Sequence, residues 1–278
     1  MKPFEILQYN VHKSWSVMAT FLRDKKVLAA NVIAVQEPWK NELQHTTHEP
    51  ATASFQLLYP TEGAAREHNQ DQREGQNQES DPPPPGVCLF ISKKLDPGTW
   101  SCQLISQDYQ LLKLRKAHQD RDWTDLFIHN IYNRPGSDTL EQLRDELSRR
   151  PHGEHVVLGD MNAHHPAWGG VGTKTDREAE QLLEITNEWS LEMTTEEGKP
   201  TWTRNEQSSV IDLTFISSSL VSRLIHAKGR TTSSIPPTIS RSGRCLTSKL
   251  QLLCSRCEEI GTQRTTKDSS KRSRRVFR

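Results

Sequence analysis

The chain is a succession of short apolar runs, most of which stop abruptly at a polar residue. Residues 4–11, "FEILQYNV", read as a strand that reaches polar Asn10. Ser14 to about Ala30 fits a helix, with Trp15, Met18, Phe21, Leu22 and Leu28 on one rough apolar face. "NVIAVQEPW" is a wholly apolar strand that ends at Gln36-Glu37, where Pro38 stops it. "SFQLLYP", "GVCLFIS", "TWSCQLIS", "YQLLKLRK" and "DLFIHNIYN" follow as strands, with "LDPG" as a turn among them. "SDTLEQLRDELSRR" is a helix that Ser137 or Asp138 caps, its Leu140, Leu143 and Leu147 recurring on one face. "EHVVLGD" is a buried strand, "DREAEQLLEITNEW" a second marked helix and "SSVIDLTFIS" a last convincing strand. Beyond about Ser219 the periodicity fades. Helices and strands alternate, yet several strands are consecutive. That predicts an α/β fold of two packed mixed sheets flanked by helices, not one parallel sheet.

Composition divides the chain. Residues 61–86 hold almost no apolar side chains and end in four prolines, which predicts a disordered insertion within the domain. Residues 226–278 carry 13 Lys and Arg against 3 Asp and Glu, a net +10, whereas 1–225 carry 23 against 32, a net −9. All seven Trp and all four Tyr lie before residue 226. The expected division is a domain over 1–225 and a basic, disordered tail over 226–278, suited to an anionic surface or simply solvated. No run of about 18 apolar residues is present, so no membrane span is expected. Five Cys without a regular framework fit a reducing, intracellular compartment. Cys254 and Cys257 form a lone C-x-x-C, short of the four ligands that zinc needs.

Four strand ends carry the chemistry: Asn10, Glu37, Asp160 with Asn162, and Asp212 in "VIDLTF". Polar groups gathered at the ends of buried strands are how a rigid scaffold presents a site. Carboxylate and amide oxygens suit Mg²⁺ or Mn²⁺, whereas a Cys/His set suits zinc. Each motif alone is as easily a turn: Asp-x-Asn bonds its own backbone, and Glu-Pro opens loops. Their order and spacing together are specific.

"LQYNV", "VIAVQEPW", "IYNRPGS", "VVLGDMNAHHPAWGG" and "PTW…SSVIDLTFIS" occur in the order of the endonuclease/exonuclease/phosphatase superfamily. They most resemble the apurinic-type endonuclease domain of non-LTR retrotransposons. The resemblance implies a four-layer α/β sandwich, its two mixed sheets face to face, and a metal-dependent phosphodiester hydrolase that nicks DNA. It implies Glu37 as principal metal ligand with Asn10 beside it, and Tyr132 on the scissile phosphate. Asp160 would orient and deprotonate the attacking water, and Asn162 would hold a phosphate or water oxygen. It further implies Mg²⁺ or Mn²⁺, a DNA substrate, a reverse transcriptase once fused to the domain, and a nuclear site of action. His164 and His165 read as loop residues that shape the site, with Trp168 packed beneath.

One expected part is missing. In the superfamily Asp212 holds a histidine from a late Ser/Thr-Asp-His motif, and none follows "IDLTFIS"; the only later histidine is His226. Codons CCG ACC ATC TCC CGA TCT for residues 237–242, read from the third base, spell Asp-His-Leu-Pro-Ile. A frame change between about Ser219 and Thr232 therefore accounts for both the loss and the basic tail. On that reading the closing strand is missing too. The alternative function is a catalytically dead retroelement relic with residual metal or DNA binding.

Overall fold

The computed structural model describes residues 3–60, 84–115, 124–231 and 244–252. In chain order the strands are β1 (Phe4–Asn10), β2 (Val32–Gln36), β3 (Phe55–Leu58), β4 (Val87–Ser92), β5 (Trp100–Ser106), β6 (Tyr109–Leu114) and β7 (Leu126–Tyr132). They continue as β8 (Glu154–Asp160), β9 (Leu191–Met193), β10 (Trp202–Arg204), β11 (Gln207–Ser209), β12 (Asp212–Ser217), β13 (Leu224–Thr231) and β14 (Arg244–Leu252). The helices are α1 (Trp15–Phe21), α2 (Thr139–Ser148), α3 (Pro166–Gly169), α4 (Arg177–Glu188) and α5 (Ser218–Val221). One sheet runs β11-β10-β14-β1-β2-β4-β3 with β13 beside β14, and the other runs β5-β6-β7-β8-β12-β9. Each is mixed: β1 is parallel to β2, β7 is parallel to β8, and the other pairs are antiparallel.

Alternation along the strands builds the layers. Ile6, Val32, Ala34, Leu89 and Ile91 face Leu112, Ile128, Val156, Leu158 and Ile216 between the sheets. The opposite face of β1, β2 and β4, with Leu7, Tyr9, Ile33, Val35 and Phe90, is covered by Val17, Met18 and Phe21 of α1. The outer face of the other sheet takes Leu140, Leu143 and Leu147 of α2 and Ala179, Leu182 and Ile185 of α4. The result is the expected four-layer α/β sandwich. Its core strands read as continuous apolar runs because both of their faces are buried. The first helix is shorter than the expected Ser14–Ala30: it ends at Phe21, and the chain turns through Asp24, whose side chain accepts from the Lys26 N–H.

The expectation of a missing closing strand is not met. β14 pairs antiparallel with β1, from Phe4↔Leu252 to Gln8↔Ser248, and β13 pairs with β14 in turn. Leu250 and Leu252 enter the core between the sheets, while Lys249 pairs with Glu5 on the other side at 2.8 Å. A period of two was present in "KLQL", but the basic composition around it concealed it. The sheet thus takes in residues beyond the boundary read at 225. Residues 61–83 of the insertion, the 237–242 segment, Cys254 and Cys257, and the tail from 253 onward lie outside the described residues. Among the described residues no helix is long and apolar enough to cross a membrane.

Buried polar links fix how the sheets meet. Gln36 Nε2 donates to Asn130 Oδ1 at 2.6 Å, and Thr214 Oγ1 donates to Gln8 Oε1 at 3.0 Å. Within the second sheet a chain of three side chains has one proton assignment in which both buried imidazoles are neutral. His155 Nε2 lies 3.1 Å from the Arg150 carbonyl, which can only accept, so that nitrogen donates. His155 Nδ1 then accepts from His129 Nε2 at 2.9 Å, and His129 Nδ1 accepts from the Tyr109 hydroxyl. Both imidazoles are neutral in this arrangement. Burial above all holds His155 at about 4 and His129 well below its ordinary value.

Candidate active site

Parallel pairing brings the first two motifs together. Asn10 stands opposite Gln36 at the ends of β1 and β2, so Glu37, one residue on, lies beside it. The pairing continues past the strands, with Lys13 N–H donating to the Glu37 carbonyl at 2.8 Å. In the second sheet β7, β8 and β12 end level: Tyr132 is opposite Asp160, and Asp160 is opposite Asp212. Gly159 permits this close pairing, since a Cβ there would sit 1.9 Å from the Ile131 carbonyl oxygen.

Asn10 joins the two halves. Its Nδ2 donates to Glu37 Oε1 at 3.1 Å and to Asp160 Oδ2 at 2.7 Å, across the gap between the sheets. Its Oδ1 accepts from the His12 N–H at 2.9 Å, which fixes the amide so that its N–H groups face the carboxylates. His12, Lys13, Glu37 and Asn162 all have positive φ, between 44° and 56°. Left-handed backbone at a non-glycine residue costs on the order of 1–3 kcal/mol, and it gathers where a surrounding network over-determines the geometry.

The carboxylates differ in character. Burial alone would raise the Glu37 pKa, but hydrogen bonds from His12 and Asn10 and the charges of His12 and Lys13 hold it at about 2. Lys13 Nζ lies 3.3 Å from Glu37 Oε2. Asp160 is 2% exposed, and burial and the facing Asp212 push its pKa well above the ordinary value. Asn162 N–H donates to Asp160 Oδ1 at 3.1 Å, and Asn162 Nδ2 donates to the Asn133 carbonyl at 2.9 Å. Tyr132 lies under Arg134, whose guanidinium carbon is 5.1 Å from the ring centre. Burial, then Glu37 and Asp160, raise the Tyr132 pKa, so its hydroxyl keeps its proton.

All six candidates therefore converge: Asn10, Glu37, Tyr132, Asp160, Asn162 and Asp212. The neighbouring histidines are occupied elsewhere. His164 Nδ1 lies 3.0 Å from Asp176 Oδ2, and His165 Nδ1 caps α3 by accepting from Ala167 N–H at 2.9 Å. Trp168 is buried beneath them, donating Nε1–H to the Ala163 carbonyl at 2.9 Å.

Sequence reasoning missed several supports. Thr201 Oγ1 accepts from the Ile211 and Asp212 N–H groups at 3.0 Å each, and so fixes the approach to Asp212. Asn133 is buried and ties the loop after β7 to the Met161 carbonyl at 2.8 Å. Asp108 holds Arg134 through two hydrogen bonds, while Arg134 Nη2 also reaches the Pro84 carbonyl at 2.8 Å. His12 faces Glu37 with Nδ1 3.4 Å from Oε1. Polar residues one to three positions past a buried strand were the available signal for His12, Asn133 and Arg134.

Among the described residues no group of three or more His, Cys, Asp or Glu forms a metal cage. A magnesium site needs none, because that ion commonly takes one or two carboxylates and completes its shell with water and substrate phosphates. The ionised Glu37 carboxylate, with Asp160 close by, fits such a site.

Residues 126–239 match the family described as Endonuclease-reverse transcriptase. The chain matches none of the curated proteins. Its fold is similar to the endonuclease domain of TRAS1, a telomere-specific non-LTR retrotransposon, with TM-score 0.62, 15% identity, and 91% of this chain and 100% of that one covered. The family match spans less than half of the chain, so what the comparisons show of the whole is the fold, an α/β sandwich. Two further structures show the same fold. One is the AP endonuclease of Leishmania major, with TM-score 0.61, 12% identity, and 91% of this chain and 88% of that one covered. The other is a 3′ phosphatase from Neisseria bound to a product DNA hairpin, with TM-score 0.55, 12% identity, and 90% of this chain and 100% of that one covered. The structures that this chain resembles are described as endonucleases and a phosphatase. In this chain the converging strand ends stand at one edge of the gap between the sheets.

Proposed function

We propose that the chain is a Mg²⁺-dependent endonuclease that nicks DNA, of the type carried by non-LTR retroelements. The observation that carries the reading is the Asn10 bridge between Glu37 and Asp160, which makes one site of two sheets. Glu37 would hold the cation, which supplies charge neutralisation for the reacting phosphodiester. Asn10, as oriented, gives an N–H to both carboxylates and serves by fixing them. Asp160, whose carboxylate has a raised affinity for a proton, would orient a water and take its proton as the water attacks phosphorus. The P–O3′ bond breaks, and the departing 3′ oxygen takes a proton from solvent to leave a 3′-OH. The protonated Tyr132 hydroxyl donates to a phosphate oxygen, and Asn162 keeps Asp160 Oδ1 aimed through its backbone N–H. The match over residues 126–239 to a family described as Endonuclease-reverse transcriptase supports an ancestry beside a reverse transcriptase, for which the nick would supply the primer.

The second reading is an inactive relic, favoured by the lack of an Asp-His pair after "IDLTFIS". Nicking of supercoiled plasmid with Mg²⁺ separates the two, with Asp160→Ala as control. Nicking lost in the variant supports the enzyme. No nicking by a chain whose circular dichroism shows the fold intact supports the relic.

A further inference from the structure

Tyr132 is gripped at three points. Its N–H donates to the Asp108 carbonyl at 2.9 Å, one step beyond the Tyr109–Ile131 pair of β6 and β7. The guanidinium of Arg134 lies over its ring, with Cζ 5.1 Å from the ring centre. Against the ring edge stands Gly86, where a Cβ would come 2.5 Å from Tyr132 Cδ1 and closer still to Asp108 Oδ1. Gly86 is not among the residues with positive φ, so its missing side chain serves space and not backbone conformation.

Asp108 takes part in all of these contacts. Its carbonyl accepts from Tyr132, and its carboxylate accepts from Arg134 Nε and, at 2.9 Å, from Arg134 Nη2. Two parallel bonds to a planar fork fix the heading of the guanidinium as well as its distance. Arg134 Nη2 also donates to the Pro84 carbonyl at 2.8 Å, which ties the fork to the segment entering β4. That segment reaches the other carboxylate of the site. Gly86 N–H donates to the Gln107 carbonyl at 2.9 Å, and the Gly86 carbonyl accepts from Glu37 N–H at 2.8 Å. Glu37 and Tyr132 are thus joined by a second set of contacts, separate from the Asn10 bridge. An exposed ion pair that served only the turn before β6 would contribute little. Here the acid is buried, and the guanidinium covers the ring of the residue read as the phosphate donor.

We propose that Gly86, Asp108 and Arg134 form a cradle that holds the Tyr132 ring and so aims its hydroxyl at the substrate phosphate. Arg134 and Asp108 are positioning residues that act through Tyr132, and Gly86 supplies the room. The proposal rests on the nuclease reading above.

The test is a double-mutant cycle on plasmid nicking by the full chain with Mg²⁺. Tyr132→Phe keeps the ring and removes the hydroxyl, and Arg134→Met removes the fork that lies on it. A residue that acts only by aiming the hydroxyl loses its effect once the hydroxyl is gone. Arg134→Met is expected to slow nicking by about tenfold to a hundredfold, the cost of a small misplacement at a reacting centre. In the Tyr132→Phe background the same replacement is expected to change the rate by less than about twofold. Arg134→Lys keeps the charge without the fork, and is expected not to restore the rate. Full rate in Arg134→Met or Arg134→Lys, or equal slowing by Arg134→Met in both backgrounds, overturns the cradle and leaves the nuclease reading in place. A folded wild-type chain that does not nick overturns both.

Discussion

The amide nitrogen of Asn10 lies 2.7 Å from Asp160 Oδ2, in a contact between residues 150 positions apart in sequence and on different sheets. The same nitrogen reaches Glu37 at 3.1 Å. One neutral donor thus holds two carboxylates that would otherwise repel.

Replacing that donor tests its role. Asn10→Asp sets a third carboxylate against Glu37 and Asp160, and Asn10→Ala leaves buried Asp160 short of a hydrogen bond worth about 1.5–3 kcal/mol. Urea denaturation is expected to show a loss of about 2 kcal/mol for Asn10→Ala and more for Asn10→Asp. Unaltered stability in both would show that the bridge carries no energy.

Much of this was legible in the chain itself. Apolar runs beside Asn10, Glu37, Asp160 and Asp212 identified the strands and the ends that converge, although buried polar residues such as Gln8 and His129 also lie within strands. Pairing in register then brought those ends together, which no single stretch of sequence states. Asp108 was not legible, because its role depends on Arg134, and their contact arises only once β6 and β7 pair. Nor was the closing strand, because the two leucines of "KLQL" are a short signal within a basic segment. The length of α1 was overestimated because Leu28 packs against the core from the turn after the helix, so its apolar spacing mimics another helical turn.

Gly159 is required by strand packing and not by chemistry. With its φ at +157° and a Cβ 1.9 Å from the Ile131 carbonyl oxygen, Gly159→Ala must push β7 and β8 apart. Thermal or urea unfolding is expected to show a loss of about 3 kcal/mol or more, the range of severe core mutations. A loss below about 1 kcal/mol would mean the strands separate easily and do not fix Asp160.

The Tyr109–His129–His155 chain makes stability depend on pH. Both histidines are held neutral by burial, so the unfolded chain binds protons that the folded chain refuses. Stability is therefore complete above an unfolded pKa of about 6.5 and falls as the pH drops toward the folded value of about 4. His155 alone contributes a loss of about 3 kcal/mol over that window. Urea unfolding at pH 7, 5.5 and 4.5 is expected to show a shallower decline in His155→Gln than in the wild type. Equal slopes would place the acid sensitivity elsewhere.

The two loop histidines should be dispensable for metal. His164 is bonded to Asp176 and His165 caps α3, so single alanine replacements are expected to leave the metal requirement of nicking unchanged. Losing a cap costs about 1 kcal/mol, enough to lower stability in His165→Ala without abolishing the fold. A tenfold or greater rise in the metal concentration needed for half-maximal rate would make them ligands after all.

The central claim is that Glu37 and Asp160, joined by Asn10, form one cation-dependent phosphodiesterase site. Its most direct measurement is plasmid nicking titrated with Mg²⁺ for the wild type, Glu37→Gln and Asp160→Ala. The account predicts metal-dependent nicking by the wild type, a rightward shift of the metal titration in Glu37→Gln, and no rate at any metal concentration in Asp160→Ala. Nicking by all three with one shared metal dependence would contradict it.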